Sequence, residues 1–382
     1  GTDGAGAGTL QVSATYGGSA VNITTTGSGT ITINATRGAN TSGGLMAADF
    51  YTSNDGLGTI RIGFDGTNPY SGNVVINADA MSISNADIQT SGIASLRQKT
   101  SGKLIHLGAD DSATTLGLTD TELDQISAST LVIGDSNSGA VTVSAAITRT
   151  AATVLNLASG ANIDLSTGSL DSAGGNVRLS PGTNVFASNS GVDVSTGASS
   201  TLTIPNTGSL KIVIGGATAD SGYTQLNVAG LLDITGVTLS LSGSYTLLAN
   251  QVFTIVNNDG ADAITGTFNG LAEGATVTYN GVALKLSYLG GSGNDVTLSY
   301  LNEIVVHNGS HSLATELSDG QATVIDFAST APNMASVRSF LVRNTGTANL
   351  TLSSITVPSG YRTNAVPATD RKSTRLTPVH AN

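Results

Sequence analysis

Short runs in which apolar and polar residues alternate recur along almost the whole chain, and each is stopped by Gly, Asn, Asp or Ser. Thr9-Leu10-Gln11-Val12-Ser13, Thr30-Ile31-Thr32-Ile33-Asn34, Thr59-Ile60-Arg61-Ile62-Gly63 and Asn73-Val74-Val75-Ile76-Asn77 set the pattern. Ala140-Val141-Thr142-Val143, Val154-Leu155-Asn156-Leu157, Asn162-Ile163-Asp164-Leu165, Asn176-Val177-Arg178-Leu179 and Val192-Asp193-Val194 continue it. A period of two makes each run a strand with one buried face. Between positions 130 and 210 the runs begin roughly every 8 to 16 residues, a spacing shared by sandwiches, barrels and solenoids. The runs are short, and the rhythm holds for about 220 residues with no clear boundary, longer than one sandwich usually runs. Their degenerate sequence and uniform composition suit coils that need only small apolar residues inside. The chain is therefore expected to be all-β: a right-handed parallel β-helix, or solenoid, with Val, Ile and Leu inside and Thr outside.

Composition supports this and narrows the function classes. Of 382 residues, 52 are Thr, 45 are Ser and 48 are Gly, and 22 Asp stand against 4 Glu. The acid that favours turns is kept while the helix former is nearly absent. A helical bundle or a doubly wound α/β enzyme is disfavoured. So is disorder, because 39% of the residues are hydrophobic and evenly spread. Fifteen thinly scattered Lys and Arg and a formal net charge of -11 leave no basic groove for nucleic acid. The absence of Cys removes disulfides, thiolate catalysis and Cys-ligated zinc. No stretch of about 18 apolar residues occurs, so no transmembrane helix is expected. The opening Gly1-Thr2-Asp3-Gly4 carries no signal peptide and reads as the interior of a longer chain.

One segment departs from the rhythm. Thr119-Asp120-Thr121-Glu122 is a capping box, and Leu123 and Ile126 share a helical face, so a two-turn helix is expected there as a local plug over an apolar edge.

The motifs that could carry chemistry are few. Gly290-Gly291-Ser292-Gly293-Asn294-Asp295-Val296-Thr297-Leu298 nearly fits the calcium nonapeptide, but in a single copy with Thr297 where a large apolar residue belongs. A turn before the last strand is the preferred reading. His307 and His311 are four apart, yet Asn308-Gly309-Ser310 between them is a turn and not the Glu-bearing helix of a zinc peptidase; His106 and His380 are isolated. Asp110-Asp111 are the only adjacent acids, with Lys103 and His106 as their nearest basic residues. Solvation of a turn is preferred over polysaccharide chemistry, which needs several converging carboxylates. No motif for nucleophilic hydrolysis or nucleotide binding is present. No catalytic, cofactor-binding or metal-ligating residue is assigned, no cofactor is expected, and the chain is not expected to be an enzyme.

Lys103-Leu104-Ile105-His106-Leu107-Gly108, Leu116-Gly117-Leu118-Thr119-Asp120 and Thr130-Leu131-Val132-Ile133-Gly134 resemble the β-strand-repeat region of large bacterial surface proteins, in the style of filamentous haemagglutinin and autotransporter passengers. Tyr223-Thr224-Gln225-Leu226-Asn227-Val228, Phe253-Thr254-Ile255-Val256-Asn257-Asn258-Asp259-Gly260, Gly266-Thr267-Phe268-Asn269-Gly270-Leu271 and Gly293-Asn294-Asp295-Val296 are similar to the closing module of such arrays. Arg338-Ser339-Phe340-Leu341-Val342-Arg343-Asn344-Thr345-Gly346 followed by Leu350-Thr351-Leu352 resembles the Hydin-type, choice-of-anchor immunoglobulin-like domain. That sandwich needs about 100 residues, so a partial, truncated copy is expected here. Asp370-Arg371-Lys372-Ser373-Thr374-Arg375-Leu376 resembles a translated sequencing adapter.

These resemblances divide the chain into β-helical repeats over 1–222, a closing module over 223–300, a truncated immunoglobulin-like domain over 301–362 and a disordered tail over 363–382, with 370–382 foreign to the rest. They imply a fragment of a secreted or surface-displayed bacterial protein, extracellular or on the outer cell surface. It would be an adhesin-like stalk with an interaction module whose surface ligand is a glycan or a protein. The alternative is an extracellular carbohydrate-active β-helix enzyme, a polysaccharide lyase or hydrolase.

Overall fold

The computed structural model describes residues 10–14, 21–23, 28–35, 48–52, 60–63, 69–248, 250–300 and 304–309, and, beyond them, 316–317, 325–327, 336, 338–344, 346, 349–352, 355–359, 361 and 379–381. Thr9, Thr59, His311 and residues 370–378 lie outside these. The fold is almost entirely β.

The chain divides into two compact units. The first comprises Gly1–Ser244, Thr254–Glu273 and Ser287–Thr297; the second comprises Tyr245–Phe253, Gly274–Leu286 and Leu298–Asn382.

In the first unit the strands pair in parallel, and each is bonded to a strand roughly one repeat further along the sequence. Val141–Val143, Ile163–Asp164, Asn184–Phe186, Ser209–Val213 and Thr238–Ser242 follow Leu104–Leu107 in one sheet. Its register aligns Ile105, Val141, Ile163, Val185, Leu210 and Leu239 in one row. A second row runs through Ala94, Leu131, Leu155, Val177, Leu202 and Leu232, and a third through Ile147, Leu170, Val194 and Val228. The chain visits the three rows in rotation. Parallel neighbours cannot be joined by a hairpin, so the intervening residues carry the chain through the other two rows before it returns.

Burial explains the alternation. Ile133, Leu157 and Leu179 are aligned and at most 1% exposed, whereas the alternate positions Val132, Asn156 and Arg178 face outward. β-branched and leucine side chains stacked rung over rung fill the interior, and each contributes about 1.5–3 kcal/mol of burial. Parallel pairing continues past residue 222, where Leu226, Asn227 and Val228 align with Val256, Asn257 and Asn258.

Two local expectations need correction. The helix covers one turn, Asp120–Leu123, because Asp124 already closes it as the C-cap. Its capping box is formed: Glu122 N donates to Thr119 Oγ1 (3.3 Å) and Thr119 N to Glu122 Oε2 (3.0 Å). Val192-Asp193-Val194 does not alternate either. Val192 is 46% exposed while Asp193 and Val194 are both buried, since the strand starts only at Val194.

In the second unit Thr276–Tyr279 pairs antiparallel with Val282, Ala283, Leu284 and Lys285 in a hairpin, with Leu284 and Leu286 fully buried. Tyr245 meets Phe253 edge-on at 6.5 Å. Ile304–Asn308 pairs antiparallel with Glu316–Leu317 and with Arg338–Asn344, and Arg338–Asn344 with Val379–Ala381. Val342 and Leu350 anchor a small core that Val306, Leu341, Leu352 and Ile355 cover. Of residues 363–382 only Val379–Ala381 is described, as one short strand.

Candidate functional site

Asp and Asn side chains serve the first unit in a way that the turn preference of these residues does not suggest. Where a ladder is broken by a turn or bulge, a strand N–H loses its carbonyl acceptor, and a buried orphan donor costs about 1–3 kcal/mol. A short side-chain oxygen from a neighbouring rung fills the gap. Asn73 Oδ1 accepts from Ile93 N (2.9 Å), Asn176 Oδ1 from Thr201 N (2.9 Å), Asp259 Oδ1 from Gly230 N (2.7 Å) and Asp295 Oδ1 from Asn258 N (3.0 Å).

The most chemically distinct place is built around Asp193, which is fully buried. Its Oδ2 accepts from Asn227 N (2.7 Å) and Nδ2 (3.4 Å), and its Oδ1 from Asn189 N (3.3 Å). Burial pushes Asp193 up to about 7 against the pull of these donors, and the charge of Asp220 adds to the rise. Asp220 is itself raised by burial, an effect the Asn227 side chain opposes, and it sits at a left-handed φ of 62°. Asn227 also accepts from Asn257 Nδ2 (3.0 Å). Asn189 and Asp220 line an open groove of about 370 Å³ together with Ser166, Ser188, Ser190 and Ser221. This wall of hydroxyls, an amide and a carboxylate can hydrogen-bond a polyhydroxylated molecule. It carries no basic or aromatic side chain.

A second cluster surrounds the short helix. Asp111 Oδ2 accepts from Met81 N and Oδ1 from Gly117 N, both at 2.8 Å, while Glu122 Oε1 accepts from Ile83 N (3.3 Å). On the other side Thr148 N donates to Asp120 Oδ1 (2.8 Å), and the buried Arg149 donates to the carbonyls of Leu123 and Ile126. Asp111 therefore does not solvate a turn as expected. It substitutes for a strand carbonyl, and only Asp110 stays exposed.

The other residues singled out from the sequence do not converge. Gly293 N donates to Gly290 O (2.7 Å), which closes a turn, and Asn294 Nδ2 donates to the carbonyls of Asp259 and Asp262 (both 3.1 Å). Asp295 is engaged with the backbone, as described above. His106 lies on the outward row with Thr142 and Asp164. His307 is buried in its strand, and only the backbone of His380 is described. Among the described residues no group of three or more His, Cys, Asp or Glu is placed to hold a metal ion.

Sequence reasoning missed Asp193, Asp220, Asn189 and Asn227. The one signal for them was an Asp inside an apolar run, and reading Val192 as inward hid it.

Removing the helix cap gives a first prediction. Thr119→Ala deletes one side of the capping box and is expected to cost about 1 kcal/mol, read as a lower urea midpoint at an unchanged slope.

No family model, no curated protein and no solved structure matches this chain.

Proposed function

We propose that the first unit is a right-handed parallel β-helix acting as a rigid, non-enzymatic spacer in a large secreted or surface-displayed bacterial repeat protein. The second unit would then contain the partial Hydin-type immunoglobulin-like module, which engages a glycan or protein. The observation that carries the reading is the set of three parallel rows visited in rotation, in which Val141, Ile163 and Val185 return every 22 residues. Parallel crossovers in one sheet are right-handed in about 98% of cases. Coils stacked about 4.8 Å apart resist bending, since each is hydrogen-bonded along its length to the next. The buried apolar side chains are committed to that stacking. The antiparallel Ile304–Asn308, Glu316–Leu317 and Arg338–Asn344 with their Val342–Leu350 core support the second half of the reading.

The second reading, a carbohydrate-active enzyme, is favoured by the Asp193–Asp220 pair beside a hydroxyl-lined groove. It lacks the basic partner that a lyase needs to hold a sugar carboxylate.

The chain has no cysteine of its own, so introduced pairs report adjacency cleanly. Thr142→Cys with Asp164→Cys, aligned on neighbouring rungs, is expected to form a disulfide on mild oxidation, because adjacent strands put Cα atoms about 4.8 Å apart. Thr142→Cys with Phe186→Cys, two rungs apart, is expected not to. The same protein incubated with pectin, alginate and xylan is expected to release no reducing ends or unsaturated products. Efficient closure of the two-rung pair would end the coil reading, and turnover of any of the three polymers would move the assignment to the enzyme.

A further inference from the structure

The row that runs through Val141–Val143, Ile163–Asp164, Asn184–Phe186 and Ser209–Val213 ends at Thr238–Ser242, which has a strand on one side only. The other two rows go one rung further. Leu226, Asn227 and Val228 align in parallel with Val256, Asn257 and Asn258. Asp233 is bridged in parallel to Thr265, with Ile234 N donating to Thr265 O (3.1 Å) and Gly236 N to Thr267 O (2.9 Å). The chain then turns, Leu271 N donating to Phe268 O (3.0 Å), and no described strand is laid on Thr238–Ser242. We propose that this edge is a strand-addition site. It takes up, in parallel, an extended segment of another protein with two aliphatic residues two positions apart, which supplies the third side of the last coil.

Hydrogen bonding fixes which groups are open. Thr238 N donates to Gly208 O (3.3 Å), and Ile214 N donates to Ser242 O (2.7 Å). Alternate residues of a parallel ladder bond to the same neighbour. Thr238, Ser240 and Ser242 therefore serve Ser209–Val213, while Leu239 and Leu241 turn their N–H and C=O groups to the far side. Neither has a backbone partner there among the described residues. Their side chains say what fits. Leu239 and Leu241 align with Leu210 and Ile212 on the inward face. Leu210 and Ile212 are each 1% exposed beneath their next rung, whereas Leu239 and Leu241, which have none, are only partly buried. An added strand meets this edge as each rung meets the one before it, with aliphatic side chains over the two leucines. The edge also lacks the usual devices against pairing. From Ile234 to Ser244 there is no charged residue and no proline, and the register with Ser209–Val213 has no bulge. The opposite end of the same row is closed. There Gly117 N of Thr115–Leu118 donates to Asp111 Oδ1 (2.8 Å), and Thr115 O accepts from Ser112 N (3.0 Å). A second copy thus cannot continue the row head to tail, which leaves the edge to a different chain.

The probe is a labelled synthetic peptide of residues 207–215, which carries the rung that the row already pairs with Leu239 and Leu241. Added to the whole protein, it is expected to bind and to raise the hydrogen-exchange protection of residues 236–244 about tenfold. In that register the N–H groups of its Lys211 and Val213 face the edge. Methylating those two nitrogens is expected to weaken binding about tenfold or more, because the bonds across the edge are lost. Methylating Leu210 and Ile212, which face away, is expected to change it less than about threefold. Leu241→Pro removes one facing donor from the protein and spares the bonds to Ser209–Val213, so it is expected to abolish binding. If that variant does not fold, the methylated peptides on the wild-type protein decide. The proposal fails if the peptide shows no saturable binding, or if both methylation patterns act equally. It fails too if the protein alone self-associates in sedimentation with residues 236–244 protected, since the edge then belongs to a second copy. None of these outcomes bears on the spacer reading, because the proposal rests on the unfinished row alone.

Discussion

Placing aspartate at Leu157 is expected to unfold the ladders around it, whereas Asn156→Asp, one residue away, is expected to leave stability nearly unchanged. Leu157 is 1% exposed and lies between Ile133 and Leu179 in the interior. The substitution loses about 2–5 kcal/mol of packing, as a leucine truncation does, and also buries a carboxylate with no acceptor role to fill. A domain is stable by only about 5–15 kcal/mol, so the sum is comparable to the whole. Asn156 is aligned with Arg178 on the outer row, and a new acid there meets a cation at the surface, which changes stability by about 0.5 kcal/mol or less. Urea unfolding followed by circular dichroism separates the two. Equal midpoints for the two variants would contradict the assignment of inward and outward faces.

The second large effect is on pH. The melting temperature of the first unit is expected to be higher at pH 5 than at pH 8, the reverse of a protein whose carboxylates are salt-bridged. Burial holds Asp193 and Asp111 up at about 7 when folded, whereas in the unfolded chain they lose their protons near 3.8. Between these values the folded state binds more protons, so stability declines with rising pH across that window. Asp220 and Asp124, also raised by burial, act in the same sense. Asp79, lowered by its Thr100 and Lys99 bonds despite its burial, acts oppositely, but only in more acid solution. Asp193→Asn keeps an acceptor for Asn227 N and carries no charge, so it is expected to reduce the slope between pH 5 and pH 8. A variant with the wild-type slope would mean that Asp193 is ionised in the fold at both pH values. Melting curves at several pH values in one buffer series give the answer.

These two experiments bear on different kinds of information in the chain. The strand positions were legible, because Val141-Thr142-Val143 or Val154-Leu155-Asn156-Leu157 has to hide one face whatever it packs against. The helix start was legible from Thr119 and Glu122, since both halves of a capping box lie within one turn. Its length was not. Ile126 continues the helical spacing, but its backbone is claimed by pairing with Ile88 in a parallel strand. Val192 shows the same limit, since alternation places a residue inside only if the strand reaches it.

The sequence by itself determined that this chain is built of short strands with a Val, Ile and Leu face, because that pattern is local and has a single way to be satisfied. Only the tertiary structure decided which strand neighbours which, and hence that Asp193 would meet Asn227 and that Asp111 and Glu122 would cap one edge. Those contacts join residues some 30 to 39 positions apart. Their energetics come from burial and the loss of competing water, neither of which an aspartate's immediate neighbours in sequence can specify.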